Sequence, residues 1–248
     1  MPGWRGIAAV VRRTPRVITF LGAWVLALSL AMPALASTDG PVLRQGDSGV
    51  DVRLVQRFLR AGGYYWGPMN GDFDTEMRFA LLSLQKHRHL ETTGQAGTAE
   101  WHALAHPRRG RPLVGGGADR IEVDLRRQLL TVYRDHHEVL ISHISTGTGR
   151  HYCRHGHCGT AITPVGDFRI TGRSPGWHRG PLGAMFDSLY FHGPVAIHGS
   201  TTIPLHPASH GCVRLPLETA RHLFALAKPG EPIYVRGTAP RRVRGNPH

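Results

Sequence analysis

Residues 194–215 read PVAIHGSTTIPLHPASHGCVRL, and the rest of the chain is organised around this stretch. It places His198 at the end of a short apolar run and Cys212 shortly after it. A thiol nucleophile needs a base, because a free cysteine is mostly protonated at neutral pH. His198 is the candidate base and Cys212 the candidate nucleophile. Gly211 permits a tight turn, so that N–H groups at Gly211 and Cys212 would face the oxyanion of a tetrahedral intermediate.

Residue types alone leave a second interpretation open, a buried thiol accompanied by surface histidines. The order of the residues favours catalysis. His198-Gly199-Ser200 followed by Ser209-His210-Gly211-Cys212-Val213-Arg214 resembles the signature of the L,D-transpeptidases, the enzymes with a YkuD-type catalytic domain. Asp124, Gln128 and segments 145–147 and 163–168 resemble the N-terminal half of that domain, so the likeness spans about 120 to 236.

The resemblance implies an enzyme that acts on the stem peptides of peptidoglycan. Cys212 would attack the carbonyl of the third residue of a tetrapeptide, and the terminal D-alanine would leave. The side-chain amine of a second stem peptide would then take the acyl group from the thioester, which makes a 3→3 crosslink. His198 would remove the thiol proton and later protonate the leaving amine. The carbonyl of Gly199 would orient the imidazole.

For the other residues of the signature, the sequence leaves more than one role open. His210 would shape the oxyanion loop together with Gly211, contact substrate, or serve as a structural histidine. Ser209 would fix the turn, help to place His210, or contact substrate. Arg214 is the residue type that holds a substrate carboxylate bidentately, although it would equally brace the loop through a buried acid.

The number and spacing of the cysteines agree with the assignment of Cys212 as the nucleophile. The chain has three cysteines, and in an oxidising compartment an even subset pairs. Cys153 and Cys158 lie close together in a glycine-rich loop and form the expected disulfide, which leaves Cys212 free. His151, His155 and His157 crowd the same loop and raise the alternative of a zinc site. Their spacing matches no defensible zinc pattern, so we predict neither a metal nor a cofactor.

The N-terminus carries an export signal. Arginines at positions 5, 12, 13 and 16 precede an apolar run over 17–30, and Ala34-Leu35-Ala36 is a small-x-small cleavage site. We therefore expect residues 1–36 to be a signal peptide. The mature protein would be exported to the periplasm, cell wall or extracellular space, and it would meet a membrane only through this signal.

The net charge of +13, from 30 Lys and Arg against 17 Asp and Glu, points to a polyanionic partner. Nucleic acid is not expected, because the basic residues are scattered and follow an export signal. An anionic cell wall fits better. The sequence specifies no oligomeric state.

Residues 37–105 are predicted to form a small domain of three helices. Apolar residues recur at helical spacing after turn residues 46–49, again after Gly71, and briefly after Thr98. The segment resembles the peptidoglycan-binding domain type 1, from which it departs at Met77, Leu84 and Glu100. Three aromatic residues are candidates for stacking on sugar faces: Tyr64, Tyr65 and Trp66.

The pattern of residues changes after the predicted helices. Residues 106–118, rich in Pro, Arg and Gly, are predicted to be a solvated linker. From Arg120 apolar residues alternate with polar ones, which indicates strands over 119–237. Residues 238–248 form a basic tail. The predicted fold is α+β and multidomain, with a three-helix domain followed by a mainly-β, β-sandwich-like catalytic domain.

Two other functions compete with transpeptidation. Hydrolysis of the same thioester by water would make the chain an L,D-carboxypeptidase. A non-catalytic cell-wall-binding protein would depend on the helical domain alone and carry an inert Cys212. The full Cys–His signature argues against the second.

Overall fold

The computed structural model describes residues 40–154 and 156–239. The predicted signal peptide, His155 and most of the basic tail lie outside the described residues. Within them the chain forms four helices and eleven strands. None of these helices has the length and apolar character needed to cross a bilayer.

Three helices form the N-terminal part: α1 (Val50–Ala61), α2 (Thr75–Arg88) and α3 (Thr98–Ala105). Their ends have identifiable causes. The Asp74 carboxylate accepts a 2.8 Å hydrogen bond from the Met77 N–H and caps α2. The Glu100 carboxylate accepts from the Gly97 N–H at 2.9 Å and closes the first turn of α3. The three predicted helices are therefore confirmed, and we call them the helical module.

Of the three candidates for sugar stacking, Tyr64 and Tyr65 lie in the core and Trp66 is half-buried, so the expectation of three exposed aromatic residues is wrong. Tyr64 and Tyr65 are 7% and 1% exposed. Trp66 stacks on His222 with ring centroids 3.5 Å apart. The tyrosines bury their rings because their hydroxyls find partners: the Tyr64 hydroxyl lies 2.7 Å from Nδ1 of His87, and the Tyr65 hydroxyl donates to the Pro68 carbonyl at 2.7 Å.

Two sheets and a ribbon follow the helical module. The first sheet has the order β3-β2-β1-β11-β6 and the second β10-β9-β8-β7, while β4 and β5 pair only with each other. Most neighbours are antiparallel, but β1 runs parallel to β11 and β9 parallel to β10. The strands are β1 (Arg120–Asp124), β2 (Leu129–Arg134), β3 (His137–His143), β4 (His151–Arg154), β5 (His157–Thr160), β6 (Gly166–Arg169), β7 (Gly172–Gly180), β8 (Gly183–His192), β9 (Val195–Gly199), β10 (Val213–Leu215) and β11 (Pro232–Arg236).

The apolar faces of the two sheets enclose the main core. It includes Ile121 and Val123 of β1, Ile197 of β9 and Val213 of β10. The fourth helix, α4 (Leu217–Leu226), packs on β8 and β9 and adds Leu223 to this core. The predicted β-sandwich-like arrangement is confirmed.

The outer face of the first sheet is also covered, which the alternating sequence did not indicate. Glu122 in β1 is 2% exposed and pairs with Arg120 at 2.7 Å. The segment predicted as a solvated linker lies on this face. Its backbone N–H groups at Gly110 and Leu113 donate to the carboxylates of Glu138 and Glu122 at 3.0 and 2.7 Å.

The helical module shares a core with the first sheet. Leu129 of β2 and Ile141 of β3 belong to the same buried cluster as Leu81 and Leu84 of α2. The Ile141 N–H also donates to the Gly63 carbonyl at 2.8 Å. The helical and strand-rich parts are therefore packed together rather than joined by a free tether.

Candidate active site

A parallel crossover brings the histidine and the cysteine together. β9 and β10 are parallel neighbours, and such a pair needs a connection of a dozen residues or so. Residues 200–212 supply it, and we call them the nucleophile loop. Val213 pairs with Ile197, and both are buried in the core. Because side chains alternate along a strand, His198 and Cys212 project from the opposite face.

His198 is held as a neutral base. Its Nδ1 lies 2.8 Å from the Gly199 carbonyl oxygen, which only accepts, so Nδ1 carries the proton and Nε2 is free to take one. Burial lowers the pKa of His198 to about 4; the hydrogen bond to Gly199 acts in the opposite direction, and the nearby Arg214 cation lowers the pKa further. The imidazole is therefore unprotonated at neutral pH. The Ser200 hydroxyl donates to Thr202 and does not orient this ring.

The thiol of Cys212 rests protonated. Burial raises its pKa, while the Ala196 N–H and the Arg214 cation act to lower it. A raised thiol pKa beside a lowered imidazole pKa keeps the proton on sulfur in the resting site. The resting site therefore holds a neutral thiol and a neutral imidazole rather than a preformed ion pair.

Ser209 and Gly211 shape the turn before the thiol. The Ser209 hydroxyl donates to the Cys212 carbonyl at 2.6 Å and accepts from the Gly211 N–H at 3.1 Å. The hydroxyl is thus already engaged by the backbone of the turn. Gly211 has a φ of 142°, and a Cβ there would lie 2.9 Å from the Ile162 carbonyl oxygen. Only glycine fits this position without movement.

Residues outside the signature hold this turn in place. Thr163 donates to the Gly211 carbonyl at 2.7 Å and accepts from the Gly147 N–H at 2.9 Å. The Thr146 carbonyl accepts from the N–H groups of Ala208 and Ser209, each at 2.9 Å. Segments 145–147 and 163–168 appear in the sequence as family-like stretches, but their direct bonds to the nucleophile loop come from the structure.

The site opens into a cleft of about 710 Å³. Its floor includes His198, Cys212 and Arg214. The β4–β5 ribbon forms one wall with Tyr152, His157 and Thr160, and the turn joining β7 to β8 contributes residues 180–185. Two nearby histidines, His192 and His206, are not among the lining residues; the His192 ring packs against Phe168.

His210 and Arg214 both face this cleft. The His210 ring meets the Tyr152 ring edge-on with centroids 4.7 Å apart. Among the described side chains, no carboxylate lies within ion-pair distance of Arg214. A buried acid therefore does not brace this arginine, and its guanidinium faces the cleft without a counter-charge.

The ribbon is covalently closed. Cys153 and Cys158 face each other across β4 and β5 and form a disulfide, as predicted from the sequence. Cys212 is the remaining free cysteine. Over residues 40–154 and 156–239, no group of three His, Cys, Asp or Glu side chains is arranged to hold a metal ion.

Comparison with protein families assigns both parts of the chain. The L,D-transpeptidase catalytic domain (YkuD) matches residues 118–235, which contain the whole cleft. A peptidoglycan binding domain matches residues 48–104, which contain the three helices of the helical module. Comparison with curated proteins found no match.

Solved structures agree with the family comparison. The L,D-transpeptidase of Xylanimonas cellulosilytica is 32% identical with a TM-score of 0.73, over 79% of this chain and 98% of that one. An L,D-transpeptidase of Stackebrandtia nassauensis is 22% identical with a TM-score of 0.45, over 79% and 96% of the two chains. One from Mycobacterium smegmatis is 19% identical with a TM-score of 0.39, over 49% and 60%. With the two matched domains and the first of these relatives, the chain belongs to the L,D-transpeptidase family.

Proposed function

We propose that the chain is a cysteine-dependent L,D-transpeptidase that crosslinks peptidoglycan stem peptides through a thioester on Cys212. The observation that carries the proposal is the placement of a free thiol and an unprotonated imidazole nitrogen on one face of the β9–β10 pair, where both residues line one cleft. The family supplies peptidoglycan as the substrate class.

The first half-reaction forms the acyl-enzyme. His198 Nε2 takes the proton from the Cys212 thiol while sulfur attacks the carbonyl of the third residue of a tetrapeptide donor. N–H groups at Gly211 and Cys212 are proposed to take the oxyanion. The Gly211 N–H must then leave the Ser209 hydroxyl, which it contacts at 3.1 Å in this structure. The bond to the terminal D-alanine breaks, and His198 returns the proton to the leaving amine.

The second half-reaction transfers the acyl group. The side-chain amine of another stem peptide attacks the thioester, a 3→3 amide forms, and Cys212 regains its proton. The low pKa of His198 keeps the ring neutral when it must accept a proton, and it makes the protonated ring a strong acid toward the leaving amine. The same low pKa makes the neutral ring a weak base toward the thiol, so the proton moves as sulfur attacks the carbonyl.

Substrate recognition is proposed to depend on the uncompensated charge of Arg214. A tetrapeptide donor ends in a carboxylate, and a guanidinium binds a carboxylate through two parallel hydrogen bonds. His210, packed edge-on against Tyr152, is proposed to contact the same peptide or to shape the oxyanion loop. The predicted signal peptide supports a reaction outside the cytoplasm, in the periplasm, cell wall or extracellular space.

The test uses the mature chain from Ser37 and its Cys212→Ala variant, each incubated with purified disaccharide-tetrapeptides. Mass spectrometry should show dimers that have lost one D-alanine with the parent and none with the variant. Loss of D-alanine without dimers would identify a carboxypeptidase instead. No change in either sample, with protein still pelleting with wall sacculi, would leave only a wall-binding role.

A further inference from the structure

An unusual lysine lies between the helical module and the catalytic half. Only two of the 30 basic residues are lysines. Lys228 is exposed and pairs with Asp119 at 3.2 Å. Lys86, in α2, is half-buried, and its Nζ lies 2.7 Å from Nδ1 of His143 and 3.1 Å from the Gln128 carbonyl. The reaction proposed above does not use it.

His143 relays this contact to the nucleophile loop. The ring is fully buried, and its Nε2 lies 3.2 Å from the Ile203 carbonyl oxygen. That oxygen only accepts, so Nε2 carries the proton and the bare Nδ1 accepts from Lys86. Burial, assisted by the Lys86 cation, lowers the pKa of His143 to about 3, which keeps the ring neutral in this tautomer. The hydrogen bonds therefore run in one direction from Lys86 to the loop.

A second route starts at the same amine. The Gln128 carbonyl accepts from Lys86, and the Gln128 side chain holds Thr146, accepting from its N–H at 2.9 Å and donating to its hydroxyl at 2.8 Å. The Thr146 carbonyl in turn accepts from the N–H groups of Ala208 and Ser209. Ser209 holds the carbonyl of Cys212. This route reaches the end of the nucleophile loop, while the His143 route reaches its middle.

Apolar packing reinforces the His143 route. Ile203, near the middle of the loop, is 5% exposed and packs against Phe79 and Leu82 of α2 in a cluster separate from both larger cores. One turn along the helix, the Ser83 hydroxyl accepts from the His143 N–H at 2.7 Å. The helical module thus contacts the loop through α2 both directly and through β3.

A lysine is a costly residue for this position if it serves only to fill space. Desolvation lowers the pKa of Lys86 to about 7, which means that its charged form is disfavoured in the fold. An apolar side chain of similar length would pack there without that penalty. Residues that oppose stability in this way are expected where function requires them.

We propose that Lys86 is a positioning residue for acyl transfer: from the helical module it fixes, through His143 and Gln128, the loop that carries Ser209, His210 and Cys212. The inference rests on the proposed role of Cys212 as nucleophile. It makes the helical module part of the machinery that aligns the thiol with His198, in addition to any contact that the module makes with the wall.

The experiment compares four forms of the mature chain: the parent, Lys86→Met, Lys86→Arg and the matched control Lys228→Met. Each is assayed for kcat and KM with disaccharide-tetrapeptides, for the rate at which iodoacetamide alkylates Cys212, and for Tm. We expect Lys86→Met to lower kcat about 10- to 100-fold, the range for a displaced catalytic group, with little change in KM. Alkylation should slow several-fold, because thiolate formation depends on the same alignment.

Lys86→Arg separates positioning from packing. Arginine restores hydrogen-bond donors, so it should recover part of the lost rate, whereas methionine matches the volume without the donors. If Lys86 only filled space, methionine would behave as the parent and the bulkier arginine would be the impaired variant, which would overturn the proposal. Lys228→Met should match the parent in every assay.

The alkylation assay and one further variant, Ile203→Ala, test the role of Lys86 even if the crosslinking assay or the Lys86→Met variant fails. If the parent does not crosslink stem peptides, the proposed function fails, but alkylation needs no substrate and still reports on positioning; equal alkylation rates for the parent and Lys86→Met would overturn the inference.

If Lys86→Met does not fold, Ile203→Ala removes the loop's contact with Phe79 and Leu82. That variant should show the same fall in kcat and in alkylation with the fold intact, and parent-like rates would contradict the proposal.

Discussion

Gly211 makes the geometry of the reactive thiol sensitive to a single atom. A Cβ at this position would combine a left-handed φ of 142° with a contact of 2.9 Å to a backbone oxygen that cannot rotate away. We expect Gly211→Ala to displace Cys212 and to reduce the crosslinking rate by about 100-fold, with the fold retained. Gly149→Ala is the control, since its φ is also positive, at 70°, but a Cβ there meets nothing within 4 Å. Equal activities of the two variants, measured by initial rate, would contradict this account.

The charge of Arg214 acts on both reactive groups, His198 and Cys212. Behind burial, its cation contributes to lowering the pKa of His198 to about 4, and it also acts to lower the pKa of the Cys212 thiol. The profile of kcat/KM against pH should therefore have its acid limb near pH 4, where His198 becomes protonated and stops acting as a base. Arg214→Gln removes the cation, so the limb should move to higher pH. KM should rise about 10- to 100-fold as charge-assisted bonds to the substrate are lost.

The control for Arg214 is Arg221→Gln, which removes an exposed guanidinium that pairs with Glu218 on α4. Its pH profile and KM should match those of the parent. An acid limb that stays in place in Arg214→Gln would show that this arginine does not set the pKa of the base.

At the scale of the element, the β4–β5 ribbon depends on its disulfide. Two-stranded ribbons are marginally stable alone, and this one joins neither sheet. With Cys153 and Cys158 both changed to serine, the ribbon should loosen and the contact between Tyr152 and His210 should be lost. Such contacts are worth about 0.5–1.5 kcal/mol, so KM should rise about 3- to 10-fold while kcat changes little. Steady-state kinetics test this, and Cys212 alkylation at the parent rate is the internal control; an unchanged KM would refute it.

The helices and strands also show which parts of the fold could be predicted from the sequence. Cap residues and apolar spacing predicted the three helices, and the spacing of His198 and Cys212 predicted their meeting, because both features are local or belong to a signature. Burial on the outer face of β1 was not predicted, since Glu122 reads as an exposed residue until the segment after α3 is seen lying over it. Trp66 was misread because its partner, His222, is distant in sequence. Nothing local marks Lys86 as a contact of the nucleophile loop.

On the scale of the whole molecule, the shared core predicts that the catalytic half is unstable alone. Removing the helical module exposes Leu129 and Ile141, each 2% exposed in the full chain. Exposing two such side chains costs about 3–6 kcal/mol. For a domain of this size that corresponds to a fall in Tm of about 10 °C or more. Calorimetry of residues 118–248 against residues 37–248 measures it, and equal Tm values would mean that the two halves fold independently.

Acid should also destabilise the whole chain. His143 and His198 are kept neutral in the fold, with pKa values of about 3 and about 4, whereas the unfolded chain protonates both near 6.5. At pH 6.5 each histidine of the unfolded chain is half protonated, so the unfolded state binds about one more proton than the fold at these two sites, and about two more by pH 5. Glu76, whose pKa burial raises to about 7, offsets one of them by binding a proton in the fold.

The net difference therefore grows from a fraction of a proton near pH 6.5 to about one proton near pH 5, where it predicts a loss of about 1.4 kcal/mol of unfolding free energy per pH unit on lowering the pH. Urea unfolding at pH 6.5 and 5.0 tests the slope. His143→Gln, which has no titrating ring, should flatten it or reverse its sign. A stability that is constant or rises toward pH 5 in the parent would contradict the two histidine pKa values.

The common core of α2, β2 and β3 also governs how the protein would work on a surface. The chain that joins the two halves is pinned by Glu122 and Glu138 and provides no slack. An enzyme attached to a glycan strand by its helical module would therefore hold its cleft at a fixed offset from the attachment point. The cleft would reach only those stem peptides that lie at one distance from the attachment point and in one orientation. Reaching a second donor would require release and rebinding, so the spacing of crosslinks would reflect the dimensions of the protein.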